Sequence, residues 1–190
     1  MGDSRTLDAL LTFYESARKE MFLRMREREI ATYAWMAVLG TVLTATLASK
    51  PPNMKLLLAL PLLGVAIAFR IAQHETLIAT LATYCKEELG PEIRRQAGTD
   101  VRHWDESHAL AQYQRSVVGA RSIVNLLLVV APCAVGLVLN ASAIAAGTTT
   151  FWAWAVSCLL TAACAWLLVG SMVKRLAAAM REPGPDNPKT

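Results

Sequence analysis

The residues with the broadest chemistry in this 190-residue chain are three histidines and four cysteines. His74 and Cys85 lie eleven positions apart, about three helical turns, so they share a helix face. His103 and His108 flank Trp104-Asp105-Glu106-Ser107, and Glu87 and Glu88 lie between the two histidine regions. Such a set imitates a metal site, which needs convergent imidazole, thiolate or carboxylate donors. The spacing argues against one. A five-residue step does not align two histidines on a regular helix. His74-Glu75-Thr76-Leu77-Ile78 also lacks the second histidine of the zinc-protease pattern. Cys85, Cys133, Cys158 and Cys164 include no Cys-x-x-Cys pair. Three of them lie in apolar stretches, where a thiol packs as a small apolar side chain. No nucleophile and base can be paired from type and spacing. We therefore expect no catalytic residue, no bound metal and no cofactor.

The elements that must carry these residues follow from the placement of charge. The chain is 54% apolar and only 18% charged, with a mean hydropathy of +0.35. Soluble domains carry about 25% charge. No Asp or Glu occurs from residue 30 to 74, nor from 107 to 181. An ordinary soluble globule, a nucleic-acid arm and a disordered chain are all excluded by such tracts. A membrane-crossing helix needs about 17–25 apolar residues. Four stretches qualify: Ile30–Ala48, Leu56–Ala72, Ser122–Leu139 and Phe151–Val173. The expected fold is all-α: a polytopic membrane protein of four transmembrane helices with helical cytoplasmic extensions. Ten-residue alternating strands are absent, which argues against a membrane barrel.

Orientation follows from Lys and Arg. Seventeen fall in the N-terminal segment, the 70–121 connection and the C-terminal tail, against two, Lys50 and Lys55, in the turn after the first span. Both termini and the middle connection are expected in the cytoplasm, in a multi-pass protein of the cell membrane. The net charge of +4 is then a topology signal and implies no nucleic-acid partner. No cleavable signal is expected, because six acidic residues precede the first apolar run.

The chain divides into a cytoplasmic amphipathic helix (1–29) continuous with the first span, a first hairpin (30–72), a cytoplasmic helical connection (73–121), a second hairpin (122–173) and a basic, Pro-rich tail (174–190). Leu7, Leu10, Leu11, Tyr14, Ala17, Met21 and Met25 recur at three- and four-residue spacing, and nothing separates that stripe from the first span. Beyond the second span, Leu77, Ile78, Leu81, Tyr84, Cys85 and Leu89 form another stripe. Gly90-Pro91 is expected to end that helix. Stripes outside the bilayer must be covered by one another or by another copy.

Polar side chains within the spans are mild: Thr41, Thr44, Asn125, Ser157 and Thr161. They suit either helix packing or the lining of a pore. Ala153, Ser157, Thr161 and Ala165 make a small-residue groove on the fourth span, and Ala37, Thr41 and Ala45 with Gly40 and Thr44 a shorter one on the first. Pro61 and Pro132 fall inside spans, as static kinks or as hinges. Tyr33 and Trp35, and Phe151, Trp152 and Trp154, read as interface anchors. Asn140-Ala141-Ser142 matches the glycosylation pattern, which occurs often by chance.

One stretch resembles a family. Residues 60–106, with His74, Glu75, Ile78, Tyr84, Glu88, Leu89, Trp104 and Asp105, resemble uncharacterised bacterial multi-span integral membrane proteins. In these a span leads into His-Asp, then Ile, Tyr, an acidic-Leu pair and Trp-Glu. Glu75 and Asp105 depart from that pattern, and the resemblance implies no activity. The general layout is similar to small bacterial membrane effectors of nucleotide-signalling defence systems.

Two functions are expected from these features. The first is an oligomeric membrane pore or channel-like effector, gated through its cytoplasmic helices by a protein or small ligand. The second is a non-catalytic anchor or scaffold presenting a helical surface to a partner protein. Thr41, Thr44, Asn125, Ser157 and Thr161 are the candidates for pore lining or packing. His74, Glu75, Tyr84 and Trp104 are the candidates for cytoplasmic interaction. The partners expected are the lipid bilayer, further copies of the chain and that cytoplasmic trigger.

Overall fold

In the computed structural model of the chain, residues 4–99, 108–144 and 148–180 are described. Every element among them is helical. The first helix, α1, runs unbroken from Ser4 to Ala48. No Gly or Pro occurs between Ser4 and Gly40, so nothing interrupts the hydrogen-bond ladder. Its 45 residues extend about 68 Å, more than twice the ~30 Å of a hydrocarbon core. The charged N-terminal segment and the first apolar stretch are thus one rod, as the sequence predicts.

A tight turn follows, closed by the Asn53 N–H on the Thr46 carbonyl at 3.1 Å. The chain re-enters through a 3₁₀ turn, Met54–Ala59, and continues as α2, Leu60–Tyr84. Pro61 therefore sits in the first turn of α2. No helical N–H is needed there, so it does not kink the span as expected from its position in the apolar stretch.

Gly90-Pro91 does not end the helix either. A π turn, Cys85–Leu89, leads directly into α3, Gly90–Ala97. Gly90 is right-handed (φ −60°), and its N–H reaches the Cys85 carbonyl five residues back. Pro91 has no N–H to continue an α ladder. The wider turn reroutes the bonds just ahead of it, and Pro91 falls harmlessly in the first turn of α3. The stop comes at Gly98, whose φ of +62° is left-handed. The N–H groups of Gly98 and Thr99 both cap the Arg94 carbonyl.

Helix α4, His108–Leu139, carries Pro132 in its interior. A short 3₁₀ turn, Ala141–Ile144, precedes α5, Thr148–Met180. Among the described residues four helices are long and apolar enough to cross a membrane, within residues 5–48, 54–97, 119–139 and 149–174.

The second helix is the hub, packing against α1, α4 and α5. Along α2 and the turns that flank it, the buried residues Leu57, Gly64, Ile71, Ile78 and Cys85 recur every seven positions. The same step links Met21, Arg28 and Trp35 on α1, Ser122, Val129 and Gly136 on α4, and Ser157, Cys164 and Ser171 on α5, all buried. A seven-residue repeat is the period of knobs-into-holes packing. Between apolar helices in lipid, association rests on close van der Waals contact rather than on water exclusion. Small residues meet that need. A side chain at Gly64 would lie 3.2 Å from the Cys133 thiol and 3.4 Å from that of Cys164. The outward faces carry Leu43, Leu62, Val124, Leu127, Leu159 and Trp166, all exposed, as apolar helices surrounded by lipid require.

Beyond the apolar stretches, α1 and the α2–α3 rod stay together as a two-helix stalk. Its core is Ala17, Cys85, Leu89 and Ile93, flanked by Leu7, Leu10, Tyr14, Leu81 and Tyr84. The stripes expected to need cover thus cover one another.

Candidate functional site

In hydrocarbon every main-chain polar group must find a partner. Side chains from the seam complete this at two places. Pro132 cannot donate to the Leu128 carbonyl four residues back. The Trp35 indole N–H donates to that carbonyl instead, at 2.9 Å. Trp35 is fully buried, so it is no interface anchor. Its seven-residue step from Arg28 is the signal that assigns it to the seam, whereas Tyr33 is exposed.

The last turn of α4 has a related problem: the Asn140 N–H closes on the Leu137 carbonyl at 3.2 Å, which leaves that of Gly136 without its α-helical donor. The Asn140 amide donates to the Gly136 carbonyl at 2.9 Å and across to that of Met54 at 2.8 Å. The Trp154 indole donates to the Leu137 carbonyl at 3.0 Å. The Ser157 hydroxyl is within 3.0 Å of the Leu58 carbonyl and 2.8 Å of the Ala153 carbonyl. Asn140 is thus a buried hairpin clasp, a role that its spacing in the sequence does not announce.

The ionisable counterpart lies at the other end of the bundle. Arg28, His74 and Glu75 are 4%, 3% and 2% exposed. Arg28 Nη1 lies 3.9 Å from Glu75 Oε1. Ser122 and Ser171, also buried, stand one seven-residue step from Val129 and Cys164, as Arg28 does from Trp35. Around this layer runs an exposed rim of ion pairs: Arg70 with Glu27 at 3.1 Å and Arg121 with Glu29 at 3.4 Å.

Both His74 ring nitrogens are buried without a hydrogen-bond partner among the described residues. Desolvation, then the nearby Arg70 and Arg24, hold the imidazole below its ordinary value against an opposing pull from Glu27, with Arg28 adding least. His74 lies just past the apolar stretch that ends at Ala72. It is therefore a buried ring between two helices where the stalk meets the spans.

The third feature is a groove on the stalk of about 500 Å³, between α1 and α2. Phe13, Ala17, Leu23, Leu81 and Tyr84 line it, with Lys19 and Glu20 at its edge. Phe13 is 58% exposed and Leu23 48%, both outside the first apolar stretch.

The residues singled out in the sequence do not converge. Thr41 and Thr44 are exposed on α1, and Thr41 donates to its own helix at Ala37. Asn125 is half-buried on α4. Ser157 and Thr161 are buried in the α5 seam, where Thr161 donates to the Ser157 carbonyl. That seam continues through Cys164, Leu168 and Ser171, so it follows a 3.5-residue rather than a four-residue period, and Ala153 is exposed. His74 and Glu75 lie inside the helix contact rather than on its surface. Tyr84 is half-buried at the groove. Trp104, with His103 and Asp105, lies outside the described residues. Among the described residues no three His, Cys, Asp or Glu side chains gather. No family model, curated protein or solved structure matches the chain.

Proposed function

We propose that the chain is a membrane anchor whose two-helix stalk, on the cytoplasmic side, docks a protein partner. The observation that carries this reading is the stalk groove. Large apolar side chains such as Phe13 and Leu23 are costly to leave in water. Exposed apolar side chains at a groove outside a membrane offer a surface for a partner, and a groove between two helices receives an apolar helical or extended segment. The unbroken run of α1 from groove to span fixes the docked partner at the membrane surface. A photo-crosslinking amino acid at Phe13, in native membranes, is expected to capture a heterologous protein. A Leu23→Asp change is expected to abolish that adduct. Capture of this chain alone, or an adduct indifferent to Leu23→Asp, would count against docking.

A second reading, a pore formed between copies, draws on one separate feature. Ala37, Gly40, Thr41, Thr44 and Ala45 are all exposed on α1, on a face that the chain itself leaves uncovered. Several copies meeting there would enclose a weakly polar, uncharged path. Liposomes holding purified protein would then pass small ions, and Thr41→Leu with Thr44→Leu would suppress the flux several-fold. Tight vesicles under conditions that keep any oligomer intact would remove this reading.

A further inference from the structure

We propose that His74 is a proton-sensing site that holds α1 against α2 while neutral and releases them when protonated. The argument begins with burial. A histidine with both nitrogens withdrawn from water and unmatched forfeits the hydrogen bonds that either ring form could make. Packing of the closed helices keeps it there. The charged groups bearing on it are Arg24, Glu27 and Arg28 from α1 and Arg70 from its own helix, with Glu75 next in sequence. The other helices at this level bring Ser122 and Ser171, which are neutral. Arg121 of α4 is turned to Glu29, and Lys174 of α5 is exposed.

A proton on His74 therefore adds a cation where Arg24, Arg28 and Arg70 already occupy the carboxylates of Glu20, Glu75 and Glu27, leaving it no free counter-charge among these groups. The charged ring gains most by reaching water, which requires α1 to part from α2. Linkage gives the direction. The open form titrates near the ordinary histidine value of about 6.5, whereas the closed form titrates lower. Opening thus takes up a proton, and the closed form loses stability as pH falls from about 6.5 toward the lowered value. Each unit of difference between the two forms shifts the equilibrium by up to about tenfold. The site stands apart from docking, since it needs no partner and is read on the protein alone.

The test is a distance measured in lipid nanodiscs between spin labels on the stalk. Labels at Lys19→Cys on α1 and Thr83→Cys on α2 use two exposed positions. Cys158, the one native thiol that is not fully buried, is changed to Ala. One short distance is expected at pH 7.5, with a longer component growing severalfold by pH 5. His74→Gln should keep the short distance at both pH values, and His74→Lys should show the longer one already at pH 7.5. A second measurement covers the case in which a variant does not assemble. With histidine side chains labelled in the otherwise unchanged protein, only three signals occur. One of these should titrate below the ordinary value, in step with the distance change. A distance that ignores pH would overturn the proposal. So would the same opening in His74→Gln, or the absence of a depressed histidine titration.

Discussion

At the hairpin end of the bundle, Asn140, Trp154 and Ser157 are neutral and hand their donors to main-chain carbonyls. At the stalk end, Arg28, His74 and Glu75 are buried as deeply, yet both nitrogens of the histidine are unmatched. The same seven-residue seam runs through both regions. What differs is what the buried groups do for the backbone. Neutral donors repair carbonyls that Pro132 and the end of α4 leave unsatisfied, so removing them costs only modest amounts. Among the ionisable groups, Arg28 and Glu75 hold one another across the helix contact. The first arrangement fixes geometry; the second leaves a closed state that charge can upset.

The largest effect should come from the ionisable layer. Glu75→Leu leaves the Arg28 charge buried without the carboxylate 3.9 Å away. It should cost about 3–5 kcal/mol, read as unfolding in mixed micelles. Arg28→Met in the same protein should recover most of that loss. If Glu75→Leu proved milder than any hairpin change, the contrast between the two regions would not stand.

Next comes close approach at the hairpin end. A side chain at Gly136 would lie 3.0 Å from the Leu57 carbonyl oxygen and 3.2 Å from Leu57 Cβ. The oxygen is backbone and cannot swing aside, so Gly136→Ala should cost about 1–3 kcal/mol. Gly64→Ala should cost less, because the thiols it meets can turn.

Smaller again is Trp35→Phe, which empties one hydrogen bond and should cost about 0.6–1.7 kcal/mol. Pro132→Ala restores an N–H four residues beyond Leu128. It should therefore relieve much of the Trp35→Phe loss while doing little alone, a coupling that a double-mutant cycle measures. The smallest effect belongs to the exposed stalk. The hydrogen bonds from Arg95 and Gln96 hold the Glu92 carboxyl below its ordinary value, but its partner Arg95 is largely exposed, and at such a surface pair Glu92→Gln should leave the melting temperature nearly unchanged.

Much of the fold was legible because it depends on one helix at a time. The four apolar stretches, the unbroken run into Ile30 and the stripe through Leu81, Tyr84, Cys85 and Leu89 all follow from periodicity along a single segment. The misreadings share one cause. Whether Trp35 faces lipid or a carbonyl depends on Pro132, nearly a hundred residues away. Asn140 reads in the sequence only as part of a glycosylation pattern, because depth in a span says nothing about where an unsatisfied acceptor lies. Gly90-Pro91 reads as a stop under α-helical rules, and a π turn is the exception that those rules omit. The position of His74 and Glu75 just past the apolar stretch does not show that α1 runs on beside them and covers them.

The unbroken rod of α1 has a mechanical consequence. Residues 4–29 stand beyond the first apolar stretch, an arm of about 39 Å. A tilt of ~5° at the Arg28 level would carry its tip ~3 Å, with no joint along the way to absorb the motion. The arm is therefore a lever, and its fulcrum lies where the buried charges meet.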